Sequence, residues 1–196
     1  SVSYRLESGV SAPLAGGNQR WYGDHRGGYY DTLGNAVSVI KCIGTNGGAA
    51  FIDPPRDIKN LRFIGDAKQG TCLTISSQGN FASNKNWENI VVEGFDTPIN
   101  GFNWFSMSMK SIAVIKNARG IVINPTDGPG DDGYFTATNW ENIYIADNDN
   151  YGLQVNLPLG SKAFEMTNVV IERNGALSNA QCSLTNLTVQ GNSCYF

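Results

Sequence analysis

A short phrase, polar–Asn–aliphatic–x–aliphatic, recurs along this chain. Its fullest copies are Asn86-Trp87-Glu88-Asn89-Ile90-Val91-Val92 and Asn139-Trp140-Glu141-Asn142-Ile143-Tyr144-Ile145, 53 residues apart. Leaner copies are Lys59-Asn60-Leu61-Arg62-Phe63, Lys110-Ser111-Ile112-Ala113-Val114, Thr167-Asn168-Val169-Val170-Ile171 and Thr185-Asn186-Leu187-Thr188-Val189. The aliphatics within each copy alternate with other residues, the two-residue period of a strand. Repeats tens of residues apart indicate a solenoid or an array. Each repeat here centres on a short strand, so the pattern predicts a β-solenoid.

The residues before the first aliphatic are Asn60, Asn89, Ser111, Asn142, Asn168 and Asn186, at steps of 29, 22, 31, 26 and 18 residues. Coils of a parallel β-helix hold strand and turn in register while their loops lengthen or shrink. A propeller or meander would show two-residue turns between successive runs. Such signals (Asn46-Gly47, Gln78-Gly79, Asn174-Gly175) fall only once per coil. An irregular β-sandwich is the competing architecture. In the solenoid, Leu61/Phe63, Ile90/Val92, Ile112/Val114, Ile143/Ile145, Val169/Ile171 and Leu187/Val189 point inward and stack at about 4.8 Å per coil. Each Asn before a strand sits at a turn, where it tolerates left-handed dihedrals, and stacked amides ladder from coil to coil. Trp87 and Trp140 hold equivalent repeat positions, which makes both structural.

The outward positions are unusually apolar. One column reads Arg62, Val91, Ala113, Tyr144, Val170 and Thr188, the next Ile64, Glu93, Ile115, Ala146, Glu172 and Gln190. Strands apolar on both faces are usually covered on both. The simplest cover is a symmetric copy of the same chain.

Composition agrees. The 196 residues suffice for one domain, and 23 glycines with only 16% charged residues describe a turn-rich β protein. A net charge of −3 without a basic stripe argues against nucleic acid. No apolar run reaches membrane-spanning length, so no membrane insertion is expected. Cys42, Cys72, Cys182 and Cys194 lack metal-type spacing and His25 is the single histidine, so neither metal nor cofactor is expected. Free, partly buried thiols are favoured over two disulfides. Asn186-Leu187-Thr188 is a formal glycosylation sequon inside a predicted strand. Residues 1–50 carry Gly16-Gly17, Gly27-Gly28 and Gly47-Gly48 with the aromatic run Arg20-Trp21-Tyr22 and Tyr29-Tyr30. They read as a loop-rich capping region, and 51–196 as the helix proper. The chain has no initiator Met, signal peptide or capping helix, and the expectation is a piece of a longer protein.

The phrases Asn89-Ile90-Val91-Val92-Glu93-Gly94 and Asn168-Val169-Val170-Ile171-Glu172-Arg173-Asn174-Gly175 head a stretch, about 57–191, that resembles the right-handed parallel β-helix of the pectate-lyase-like superfamily. Within it the stretch looks like bacteriophage tailspike proteins, which bind and often cleave host surface polysaccharides. The resemblance implies an all-β, right-handed, single-stranded solenoid of about six coils and a homotrimer. It also implies a bacterial surface polysaccharide ligand (capsule or lipopolysaccharide O-antigen) and a place on the virion tail, outside the cell.

Glycoside hydrolysis needs two carboxyl groups about 5–9.5 Å apart. The densest acidic loop, Asn124-Pro125-Thr126-Asp127-Gly128-Pro129-Gly130-Asp131-Asp132-Gly133-Tyr134, lies in the longest step between coils. It is similar to the Asn-Thr-Asp and Asp-Asp signatures of polygalacturonase-type hydrolases, and departs from them by placing Asp127, Asp131 and Asp132 in one loop. These three are the candidate catalytic acids; a polar turn is the plainer reading. Sugars stack on aromatic faces, and Trp104, Tyr134, Trp21 and Tyr22 are the candidate glycan-binding residues. Asp147 falls one coil from Arg173, as an ion pair would. Glu93 and Glu172 share a column three coils apart, too far to flank one bond. The expected function is tailspike-type recognition of host polysaccharide, with cleavage left open. Alternatives are a stand-alone polysaccharide hydrolase or lyase of this fold, and a non-catalytic trimeric stalk.

Overall fold

A computed structural model describes residues 2–6, 20–22, 38–42, 48–75, 84–101, 104–123, 135–156, 162–175, 182–185 and 194–195. Every regular element among them is a strand: β1 (Val2–Leu6), β2 (Arg20–Tyr22), β3 (Ser38–Cys42), β4 (Ala49–Ile52), β5 (Asp57–Ile64), β6 (Thr71–Ile75), β7 (Asn86–Glu93), β8 (Thr97–Gly101), β9 (Trp104–Phe105), β10 (Ser108–Ile115), β11 (Ile121–Ile123), β12 (Phe135–Ala146), β13 (Leu153–Asn156), β14 (Lys162–Glu172), β15 (Cys182–Thr185) and β16 (Cys194–Tyr195). The larger sheet runs β1-β3-β5-β7-β10-β12-β14-β16, with β2 beside β5 and β9 beside β12; the smaller runs β15-β13-β11-β8-β6-β4. All pairings are parallel. From β3 to β16, the short β9 apart, the chain alternates between the two sheets and returns each time one strand further along, which makes it a parallel β-solenoid.

The Asn of the phrase explains the cross-section. Asn60, Asn89, Ser111, Asn142 and Asn168 take φ of 59°, 53°, 55°, 55° and 52°, the left-handed region that Asn enters more cheaply than most residues. One such residue turns the strand and breaks its alternation. Ile58 and Leu61 are both buried although three apart. Each long strand therefore has two arms. The first arm stacks Ile58, Trp87, Met109, Trp140 and Met166 inward; the second stacks Leu61, Ile90, Ile112, Ile143 and Val169, then Phe63, Val92, Val114, Ile145 and Ile171. All of these are buried. The smaller sheet answers with Phe51, Leu73, Ile99, Ile121 and Leu153, also buried. Burying one such side chain stabilises by about 1.5–3 kcal/mol. The column is a single apolar core.

The turn residue does what the phrase foretells, with one gap. Asn89 Nδ2 donates to Asn60 Oδ1 at 3.1 Å, and Asn168 Nδ2 to Asn142 Oδ1 at 3.1 Å. Ser111 stands between the two pairs in the stack.

A second, buried amide ladder lies where the second arm ends. Asn117, Asn148 and Asn174 are 0%, 2% and 0% exposed. Asn117 Nδ2 donates to Asn148 Oδ1 at 3.1 Å and Asn148 Nδ2 to Asn174 Oδ1 at 2.8 Å. The same oxygens accept the backbone N–H of Asn117 and Asn148, while the amides reach carbonyls of Ile115, Val114 and Ile145. Buried turn groups are thereby satisfied from coil to coil. Before each Asn stands a left-handed residue: Lys116, Asp147 or Arg173. Coils also touch closely here, since a Cβ added to Gly120 would lie 1.7 Å from the Gly152 carbonyl oxygen.

Two expectations change. Five of the six phrases stack as read, but the last does not. Thr185 ends β15 in the smaller sheet, and the partner of Val169 is Cys194. Leu187 and Val189 lie outside the described residues. The reason is length. Stacked steps elsewhere take 22 to 31 residues, and 18 are too few to circuit both sheets. The second change concerns the outward column. Val91, Ala113, Ile115 and Ala146 form a small cluster only 0–3% exposed within the single chain, with Tyr144 packed against it. The chain itself covers them, so they call for no second copy.

The strand β3 belongs to the larger sheet and β4 to the smaller, because β3 pairs with β5 and β4 with β6. The strand β2 lies along the first arm of β5, and β3 along its second arm.

Candidate functional site

Neighbouring residues of a strand face opposite ways, and this separates Trp21 from Tyr22. Trp21 is half-buried, its ring edge-on to Phe51 with centroids 4.8 Å apart; Phe51 in turn meets Phe63 at 5.7 Å. The three rings close the β2 end of the core. Tyr22, in register with Lys59, is 57% exposed. Tyr22 is thus free to stack on a ligand, whereas Trp21 serves the core. The two cannot grip one sugar together.

Tyr22 heads the outward side of the first arm, a flat polar strip. Its columns are Arg20, Asp57, Asn86, Ser108, Asn139 and Glu165, and Tyr22, Lys59, Glu88, Lys110, Glu141 and Thr167. Charges alternate along it and pair across coils: Arg20 with Asp57 at 3.0 Å, Lys59 with Glu88 at 2.8 Å, Lys110 with Glu141 at 3.2 Å. Alternation from Lys59 to Glu141 sets opposite signs on successive coils, the sheet counterpart of charge pairing on a helix.

At the far corner Arg173 is the hub. It meets Asp147 through Nε at 2.8 Å and Nη2 at 3.1 Å, the Tyr144 hydroxyl at 2.6 Å, and Glu172. Tyr144 donates to Glu172 at 2.7 Å. The Arg173 hydrogen bonds hold the Asp147 carboxyl below its ordinary range; burial, then the Glu172 bond, push the Tyr144 phenol up. A carboxyl held ionised by a bidentate arginine cannot serve as a general acid near neutral pH. The ion pair expected between Asp147 and Arg173 is there, and Tyr144 and Glu172 join it. Their hint in the sequence is register, since Ala146 pairs with Glu172 and Tyr144 with Val170.

Other carboxylates are clasped similarly: Glu93 by Arg62 at 2.5 Å, Asp149 by Lys68 at 2.5 Å, Asp96 by Arg119. Glu93 and Glu172 do share one column, separated by Ile115 and Ala146. Lys85 was not singled out by sequence. Its ammonium donates to the Pro54 carbonyl, and burial lowers its pKa. Among the described residues no group of three or more His, Cys, Asp and Glu is placed to hold a metal ion.

The acidic loop is only framed. Asp127, Asp131, Asp132 and Tyr134 lie outside the described residues. The strand holding Trp104 is placed: β9 runs beside the start of β12, with Trp104 opposite Phe135 and Phe105 opposite Thr136. The Trp104 backbone therefore adjoins the residue that follows Tyr134.

Comparison with protein-family models, with curated proteins and with solved structures gave no match.

Proposed function

We propose that this chain is part of a tailspike-type receptor-binding protein that recognises bacterial surface polysaccharide outside the cell. The surface we assign is the one flanking residues 124–136. The observation that carries the reading is the pairing of Trp104 with Phe135, which sets a tryptophan strand next to the acidic, tyrosine-ended loop. A rigid solenoid bearing one long polar loop beside aromatics is a suitable platform for hydroxyl-rich ligands. The right-handed winding is part of this proposal, since parallel crossovers of this kind are almost always right-handed. So is the homotrimer, which rests on the likeness to tailspikes and not on the outward column.

Cleavage, if present, falls to Asp127, Asp131 and Asp132, because Asp57, Glu88, Glu141, Glu93, Asp96 and Asp147 on the described surfaces are each engaged by Arg or Lys. That engagement also favours a second reading, a non-catalytic stalk that spaces other domains.

The experiment is a binding screen against a panel of capsular and O-antigen polysaccharides, with light scattering on the same sample. The reading expects one glycan class to bind the parent protein and Trp104→Ala to weaken it at least tenfold. A panel with no binder, or one bound equally by the variant, overturns the site. A monomer at micromolar concentration overturns the trimer.

A further inference from the structure

Two of the four cysteines meet inside the core. Cys42 closes β3 and Cys72 is the second residue of β6; they are 1% and 0% exposed and share the main apolar cluster. The register puts them one coil apart. Lys41, just before Cys42, pairs with Ile64 of β5, whose chain continues through the next turn into β6. Beside Cys72, Thr71 pairs with Ala49 and Leu73 with Phe51, on the strand that follows Cys42. The two thiols are close enough to act on one another, and both are free.

We propose that Cys42 and Cys72 are a cross-linking site, joined as a disulfide in an oxidising milieu so that the β3–β4 coil is stapled to the β5–β6 coil. Adjacent buried thiols can simply fill space as small apolar groups. Contact between coils gives this pair a further use. A disulfide needs Cα atoms about 4.4–6.8 Å apart with the side chains facing each other, and two buried, interacting thiols on successive coils at one corner are candidates for that span. The bond also closes a 30-residue loop between β3 and β6.

The chemistry balances with a low-molecular-weight disulfide as oxidant. One cysteine thiolate attacks it, forming a mixed disulfide and releasing one small thiol. The second cysteine thiolate attacks the protein-side sulfur, forming Cys42–Cys72 and releasing the second small thiol. The protein loses two electrons and two protons, and the oxidant gains them. Burial pushes the Cys72 thiol up, so little thiolate exists in the closed coil. The bond therefore forms while the coil is assembling or transiently open, faster in mild denaturant than in buffer.

The test uses the whole chain carrying Cys182→Ser and Cys194→Ser, so that only this pair reacts. It is refolded in a mixture of oxidised and reduced glutathione, alkylated in guanidinium and digested. The expected result is loss of both alkylation sites, a peptide pair linked through residues 42 and 72, and a Tm higher by roughly 10 °C that reverts with reductant. The untouched four-cysteine chain, treated alike, guards against a folding defect in the variant and should yield the same linked peptide. Full alkylation of both thiols in both proteins overturns the proposal, as does a crosslink that lowers Tm. Neither outcome bears on glycan binding, which is read separately.

Discussion

Asn148 stacks on Asn174. Its Nδ2 donates to the Asn174 Oδ1 at 2.8 Å, and the same oxygen accepts the Asn148 backbone N–H at 3.1 Å. Asn117 repeats the arrangement on Asn148, so three coils share one buried chain of amides. A side-chain amide, with an acceptor and two donors, can receive from one coil, give to the next and still reach a backbone carbonyl.

Replacing Asn148 by Ala should therefore cost more than a surface change. It strips the acceptor of the buried Asn117 N–H and the donor to the Val114 carbonyl. Two orphaned groups cost about 2–5 kcal/mol together. Urea titration should show a lower midpoint with an unchanged slope. A shift below half a kcal/mol would mean that water or relaxed backbone satisfies the turn.

The outer ladder has a gap that can be filled. Ser111 already has φ of 55° and lies between Asn89 and Asn142 in the stack. Ser111→Asn should join the Asn60–Asn89 and Asn142–Asn168 pairs and suit the left-handed backbone better. We expect a gain of about 0.5–1.5 kcal/mol, seen as a higher thermal midpoint. A loss would show that the serine column is too narrow for an amide.

Ile143 tests the core. It is 1% exposed and pairs with Ile112 on one side and Val169 on the other. Ile143→Ala should cost about 2–5 kcal/mol by chemical denaturation, with the spread set by how far the neighbouring coils can settle.

The Arg173 corner makes a pH prediction. Arg173 holds the Asp147 carboxyl below its unfolded value. The stability from this pair is thus complete above the unfolded carboxyl pKa, near 4, and is lost as pH falls from there through the folded value. The side chains are 54% and 42% exposed, so the effect is only about 0.2–1 kcal/mol. Arg173→Ala should flatten the stability profile below about pH 4 by that amount. A profile with the parent's slope would refute the assignment.

For the loop, Asp131→Asn separates binding from cleavage. If the protein depolymerises its glycan through this residue, the amide should abolish product release while binding persists, because it cannot protonate the leaving oxygen. Reducing-sugar release and glycan affinity, measured on one sample, decide it. Unchanged turnover and affinity in the Asp127/Asp131/Asp132 triple Asn variant would remove the loop, and Tyr22 on the polar strip becomes the next candidate.

Much of this architecture is local and so was legible along the chain. Alternation places Ile90/Val92 or Ile143/Ile145 inward whatever surrounds them, and an Asn before the strand supplies the left-handed bend from its own φ preference. The Trp87 and Trp140 positions follow from the same periodicity. What the sequence could not decide depends on how far each coil must travel and on what lies above each face. The last phrase reads like the others, yet 18 residues cannot circuit two sheets, so β16 takes its place beside β14. The outward aliphatics look exposed in a list of positions, but packing within the chain covers Val91, Ala113, Ile115 and Ala146. Asn117, Asn148 and Asn174 read as ordinary turn residues until stacking brings their amides together. Trp21 and Tyr22 are equivalent aromatics in sequence; pairing of β2 with β5 sends one into the core and the other to solvent. Period and dihedral preference belong to the residue, whereas coil length, coverage and coil-to-coil contact exist only once the chain has closed on itself.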